Sequence, residues 1–171
     1  MKKILAGLTV LYSMNCFAGA GATFTINNLS PHTVTFKLRN PQCMNSLNTN
    51  TNFTIKGGES MVLGYIEAKA SSSGGDSCAT AHSTFNIFAE DPAAVDDSPP
   101  VATIRMWHTI DVKWDIWNSE DYNEVRIEGG SSGRFILSNN DGWTRWDGAG
   151  NITINYHPCE VRTNCYVKSV N

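Results

Sequence analysis

A chain of 171 residues with 13 basic and 16 acidic side chains is mildly acidic and has no basic run, which argues against nucleic acid as a partner and against simple charge attraction to anionic lipid. Setting aside Lys2 and Lys3, which fall in the leader described next, 11 basic residues remain against 16 acidic ones, a formal charge of −5. The roughly 150 residues after the leader suffice for one domain with a sizeable core.

The leader is residues 1–20. Met1-Lys2-Lys3 is a short positive segment, Ile4–Phe17 is mostly apolar, and Ala18-Gly19-Ala20 supplies small residues of the kind a signal peptidase cuts after. This is the pattern of a bacterial secretory signal peptide, with cleavage expected between Ala18 and Ala22. The expectation is a secreted protein, passing through the periplasm if the cell is Gram-negative. Cys16 follows Ser13-Met14-Asn15 rather than the small and apolar residues of a lipoprotein box. No later run approaches the ~18 apolar residues of a membrane span.

From residue 21 to 171 the pattern is that of β-strands. Thr23–Asn27 alternates with Phe24 and Ile26 on one face, and Thr33–Arg39 repeats this with Val34, Phe36 and Leu38; Asn28-Leu-Ser-Pro-His32 is the turn between them. Residues 40–52 are polar, have no period and read as a loop. Phe53–Lys56 and Met61–Ala70 are two strands around the Gly57-Gly58 turn. Ser71–Ser77 is Gly/Ser-rich, and Ser83–Ala89 is a strand stopped by Asp91-Pro92. Residues 93–100 form an acidic, Pro-bearing loop. The same reading places strands at Val101–Trp107, Val112–Trp117, Glu124–Glu128, Arg134–Ser138, Asn151–Tyr156 and Tyr166–Val170. No segment offers ten residues of helical period. About ten short strands at this spacing predict an all-β protein, a single antiparallel β-sandwich in one domain.

Four cysteines lie beyond the leader: Cys43, Cys78, Cys159 and Cys165. An even number in an exported chain reads as two disulfides, with three connectivities open. The Cys159–Cys165 spacing suits a local clasp on the C-terminal tail, and Cys43–Cys78 would then tie two long polar loops. No Cys-x-x-Cys pair supports a zinc site, and no other metal site is expected.

Catalytic signals are sparse. Gly129-Gly-Ser-Ser-Gly133 matches G-x-S-x-G, but a nucleophile elbow needs strand, turn and helix, and Arg134–Leu137 alternates like a strand. His32, His82, His108 and His157 show no metal-ligand spacing. Asn139, Asn140, Asp141, Asp147 and Asn151 fit no calcium loop and read as turn residues. The expectation is a binding protein, not an enzyme, with no cofactor. A hydrolase would have to rest on the Ser131/Ser132 segment alone.

All five tryptophans fall between Ile104 and Trp146. Alternation puts Ala102, Ile104 and Met106 on one face and Thr103, Arg105 and Trp107 on the other, so Trp107 and Arg105 turn outward. By the same test Trp114 faces the core and Trp117 water, beside the Asp115, Glu120, Asp121 and Tyr122 cluster. Trp143 and Trp146 sit in the turn-rich Asn139–Gly148 segment, where burial is difficult. Outward Trp107, Trp117, Trp143 and Trp146, with Tyr122 and Arg105, are the candidate binding residues. Aromatics among carboxylates suit a choline-type cation, and they suit sugar stacking equally.

The order of segments resembles the aegerolysin family of small β-sandwich proteins. Thr25-Ile-Asn-Asn-Leu-Ser30 with Val34 is similar to that family's opening strand and turn. Ile55-Lys-Gly-Gly-Glu-Ser60 ahead of Met61–Ala68 resembles its next turn and strand. Thr84-Phe-Asn-Ile87 with Asp91-Pro92, the Trp-bearing strands and Gly150-Asn-Ile-Thr-Ile-Asn155 follow in the matching order, over about Thr23–Tyr156. The resemblance implies recognition of particular membrane lipids through surface tryptophans, with Trp107, Trp114 and Trp117 in the matching region. It also implies that a larger perforin-like protein is a candidate partner. The Cys-bearing loop, the tail Pro158–Asn171 and the signal peptide depart from that pattern. A carbohydrate-binding adhesin, or an effector binding a host surface, is the alternative expectation.

Overall fold

The computed structural model describes residues 21–47, 49–69, 83–92, 99–111, 120–129, 132–139, 143–146 and 150–159. In chain order the strands are β1 (Gly21–Asn28), β2 (Val34–Gln42), β3 (Met44–Ser46), β4 (Asn52–Ile55), β5 (Ser60–Ala68), β6 (Ser83–Glu90), β7 (Val101–Asp111), β8 (Glu120–Glu128), β9 (Phe135–Leu137), β10 (Trp143–Trp146) and β11 (Gly150–Tyr156). The only helical turn among the described residues is a 3₁₀ turn at Ser132–Arg134.

The strands form two sheets, one in the order β3-β5-β1-β11-β9 and one in the order β10-β8-β7-β6-β2-β4. The architecture is therefore the all-β sandwich that the alternation predicts. One pair departs from antiparallel pairing: β1 and β11 run parallel, from Ala22 opposite Gly150 to Asn28 opposite Tyr156. The first and last described strands thus lie side by side in the middle of the smaller sheet.

Period-2 alternation decides what each sheet buries. Phe24 and Ile26 of β1, Val34, Phe36 and Leu38 of β2, Phe85 and Ile87 of β6, Ile104 and Met106 of β7, and Ile152, Ile154 and Tyr156 of β11 all lie in the core. Rings join the two layers edge to face. Phe24 meets Phe85 at 5.8 Å and Phe36 meets Tyr156 at 5.4 Å between centroids, the geometry that aromatic quadrupoles favour. Tyr156 keeps its polar end satisfied by donating to Asp91 Oδ2 at 3.2 Å. Asn28, fully buried at the same end, donates to the carbonyls of His32 and Ile55 and accepts from the Ser30 amide, which ties the turn after β1 and the end of β4 to β1.

The structure differs from the sequence reading in several segments, among them β7, which continues past Trp107 to Asp111, and β8, which begins at Glu120 rather than Glu124. Residues 40–52 are not one loop: β2 continues to Gln42, and β3 then pairs with β5. Positive φ occurs at Asn40, where β2 shifts register against β6, and at Cys43, between β2 and β3. Residues 143–146, read as part of a turn, form edge strand β10 against β8. In β5 a bulge at Gly64, φ +97°, shifts the register so that Leu63 and Ile66 are both buried, which strict alternation forbids. The strands expected at Val112–Trp117 and Tyr166–Val170, and the leader, lie outside the described residues.

Cys43 and Cys159 are each disulfide-bonded, while Cys78 and Cys165 lie outside the described residues. The Cys43 carbonyl accepts from the Lys69 amide, just past the Ala68–Met44 pair, at the Gly21 end of β1. Cys159 follows Tyr156, at the Asn28 end. The rise of the strand separates these ends by about 20 Å, far beyond disulfide reach, so the two cysteines are not partners.

A candidate binding face on the larger sheet

The outer face of β7 and β8 is where the candidate residues can be followed. β7 buries Ala102, Ile104 and Met106 and turns Thr103, Arg105 and Trp107 outward, as the alternation predicts. On β8, Val125 is buried inside while Glu124, Arg126 and Glu128 share the outer face. The antiparallel register sets Trp107 opposite Glu124, Arg105 opposite Arg126, and Thr103 opposite Glu128.

Two guanidiniums directly opposite one another repel, and each is drawn to a different carboxylate. Arg105 Nη2 lies 2.9 Å from Glu128 Oε2, and Arg126 Nε donates to Glu124 Oε1 at 2.9 Å. The Arg126 guanidinium carbon stands 5.2 Å from the Trp107 ring centroid, within cation–π range. Trp107 is therefore half-buried rather than freely projecting. Glu124 is buried on this outer face, while Arg126 remains exposed. Arg105 Nε is buried and has no hydrogen-bond acceptor, an orphan donor of the kind native surfaces rarely leave. Thr103 donates to Asn86 Oδ1 at 3.1 Å and carries the polar face onto β6.

The other candidates are placed only by backbone, or not at all. Trp143 pairs with Arg126, and Trp146 with Asn123. Positions three apart on one strand fall on opposite faces, so position 143 shares the Arg126 face and position 146 does not. Tyr122 pairs with Thr109 on the extension of β7 that the sequence reading ended at Trp107. Trp114 and Trp117 lie outside the described residues. Sequence reasoning missed Glu124, Arg126 and Glu128 because only the β7–β8 register brings them beside Trp107. The signal available was the alternation of Glu124, Arg126 and Glu128 themselves along one strand face.

At the former G-x-S-x-G match, β8 ends at Glu128, Gly129 takes φ +90°, and the 3₁₀ turn leads directly into β9. Gly130 and Ser131 of that match lie outside the described residues; after them come a 3₁₀ turn and a strand, where a nucleophile elbow requires a helix. Among the described residues no group of three or more His, Cys, Asp or Glu is placed to hold a metal, and no helix is long and apolar enough to cross a membrane. Comparison with known proteins gives no matching family model and no match among curated proteins.

Proposed function

We propose that the chain is an exported, non-enzymatic binding protein that reads membrane-lipid headgroups with the outer face of β7 and β8. The observation that carries this reading is Trp107 held under Arg126 in a patch whose charges cancel: Arg105 and Arg126 against Glu124 and Glu128. A zwitterionic headgroup presents the complementary pair. Its phosphate suits the forked guanidinium donors of Arg105 and Arg126, and its ammonium suits a carboxylate beside an indole. A neutral patch on an acidic chain favours zwitterionic or sterol-containing membranes over anionic ones. The aegerolysin resemblance points the same way. Its perforin-like partner remains an expectation of that resemblance, and no pore-forming step is assigned to this chain.

Co-sedimentation with phosphatidylcholine vesicles, with and without sterol, tests the reading. Trp107→Ala should weaken binding about tenfold to a hundredfold, the loss of one interfacial ring at about 1–3 kcal/mol. Arg126→Ala should act in the same direction. Trp107→Ala should melt close to the parent, since Trp107 lies outside the core, whereas Arg126→Ala leaves the buried Glu124 without its guanidinium and should melt lower, so its binding is read well below its own melting temperature. Parent-like binding by the two folded variants would remove this face from consideration.

A further inference from the structure

We infer that the outer face of the smaller sheet is a second binding site, shaped for an uncharged polyhydroxyl ligand such as a neutral glycan chain. The parallel pairing of β1 and β11 lays Thr23 beside Asn151, Thr25 beside Thr153, and Asn27 beside Asn155. Their neighbours in sequence, Phe24, Ile26, Ile152 and Ile154, are buried on the other side. The result is a two-by-three array with rows ~4.8 Å apart and repeats of ~6.6 Å along each strand.

Threonine on an outer strand face is unremarkable, being a good strand former; three asparagines there are not, because asparagine is depleted from strands. None of the six positions carries a charge. The outer face of the larger sheet, by contrast, is lined by Lys37, Glu90, Arg105, Arg126 and Glu128. Asn27 Nδ2 donates to Asn155 Oδ1 at 2.8 Å, which leaves a carbonyl oxygen on Asn27 and an amide on Asn155 for a ligand. The side chains of Thr23, Thr25, Thr153 and Asn151 make no hydrogen bond among the described residues. Donors and acceptors are thus interleaved, uncharged and unspent.

An aromatic ring borders the array. Tyr65 of β5 pairs with Thr23 and is 42% exposed. Its ring lies across Gly21: a Cβ there would stand 1.9 Å from the Tyr65 hydroxyl and 2.4 Å from Cζ. The missing side chain of Gly21 is what allows the ring to settle against β1. Val62, 65% exposed and opposite Thr25, extends the apolar border. A ring with one polar tip beside a row of hydroxyls and amides matches the two faces of a pyranose, apolar C–H on one side and hydroxyls around the rim. A phosphate or a sulfated sugar would find no cation in the array, and the Glu67 carboxylate beside Tyr65 would repel it. Charge therefore excludes anionic ligands, and the uncharged array itself suits a neutral one.

This inference is independent of the headgroup reading and has its own test. The full exported chain is titrated with neutral gluco-, manno-, galacto- and N-acetylhexosamine oligosaccharides, with a sulfated oligosaccharide alongside, and binding is followed by calorimetry and saturation-transfer NMR. At least one neutral probe should bind, and the sulfated one should not compete. Tyr65→Ala and the Asn151→Ala/Thr153→Ala pair should each weaken that binding on the order of tenfold. Their melting temperatures and vesicle binding should stay at parent values. The inference is overturned if no neutral probe binds at millimolar concentration, if the sulfated probe is preferred, or if glycan binding falls with Trp107→Ala while the Tyr65 and Asn151/Thr153 variants bind like the parent.

Discussion

Single residues at the Asn28 end of the sandwich carry a large share of its polar accounting. Asn28 is buried, and its side chain serves the carbonyls of His32 and Ile55 and the amide of Ser30, joining the turn after β1 to the end of β4. Alanine there strands all three groups at once, so Asn28→Ala should lose about 3 kcal/mol of unfolding free energy, read from urea midpoints. Tyr156 tests the same region by pH. Burial first, then the Asp91 carboxylate, raises its pKa above the ordinary 10.0. The folded state therefore holds the phenolic proton where the unfolded chain releases it, and stability is complete below pH 10 and falls as pH rises above it. Tyr156→Phe should be less stable at pH 8, through loss of the Asp91 hydrogen bond, yet show a shallower decline between pH 9 and 11. An equally steep decline in the variant would assign the alkaline loss to other groups. His157 works in the opposite direction: burial lowers its pKa, so its contribution is present above pH 6.5 and is lost as pH falls below that value.

Strands were legible from sequence wherever alternation was unbroken. β1, β2, β6, β7 and β11 each bury every second residue over five or more positions, and those are the strands the pattern predicts. The missed features break the period for physical reasons. β3 spans three residues after a corner with positive φ. In β10 the Trp-Thr-Arg-Trp order lacks an apolar–polar alternation and stands amid Asn, Asp and Gly. In β5 the bulge at Leu63–Gly64 leaves Leu63 without a partner on β1, which resets which side chains reach water and delivers Tyr65 to the surface. Only glycine holds φ +97° without strain, and nothing stands within 4 Å of a Cβ built there. Gly64→Ala should thus destabilise by about 1–2 kcal/mol through backbone strain alone, with an unchanged denaturant slope. A neutral substitution would mean that β5 can shed the bulge.

The candidate sites show the same division at the scale of the molecule. Outward Trp107 and Arg105 follow from one strand's alternation. Their carboxylate and guanidinium neighbours, and the Thr/Asn array, exist only once β8 registers on β7 and β11 on β1. Long-range register also bears on the disulfides. Cys43 and Cys159 sit at opposite ends of β1, so two of the three connectivities survive. Residues 70–82, which contain Cys78, begin and end beside Cys43: the Lys69 amide and the Ser83 hydroxyl both donate to the Cys43 carbonyl. A loop anchored on both sides of one cysteine brings its own cysteine close with little closure entropy still to lose. Cys159 is left with Cys165, six residues along the tail. We therefore expect Cys43–Cys78 and Cys159–Cys165. Each bond should stabilise the chain by about 2–4 kcal/mol by restricting its unfolded state. Mass spectrometry of an unreduced digest decides the pairing. A Cys43–Cys165 peptide would bring the tail along the whole length of the sandwich to the Gly21 end, whereas the expected pair confines each bond to one end.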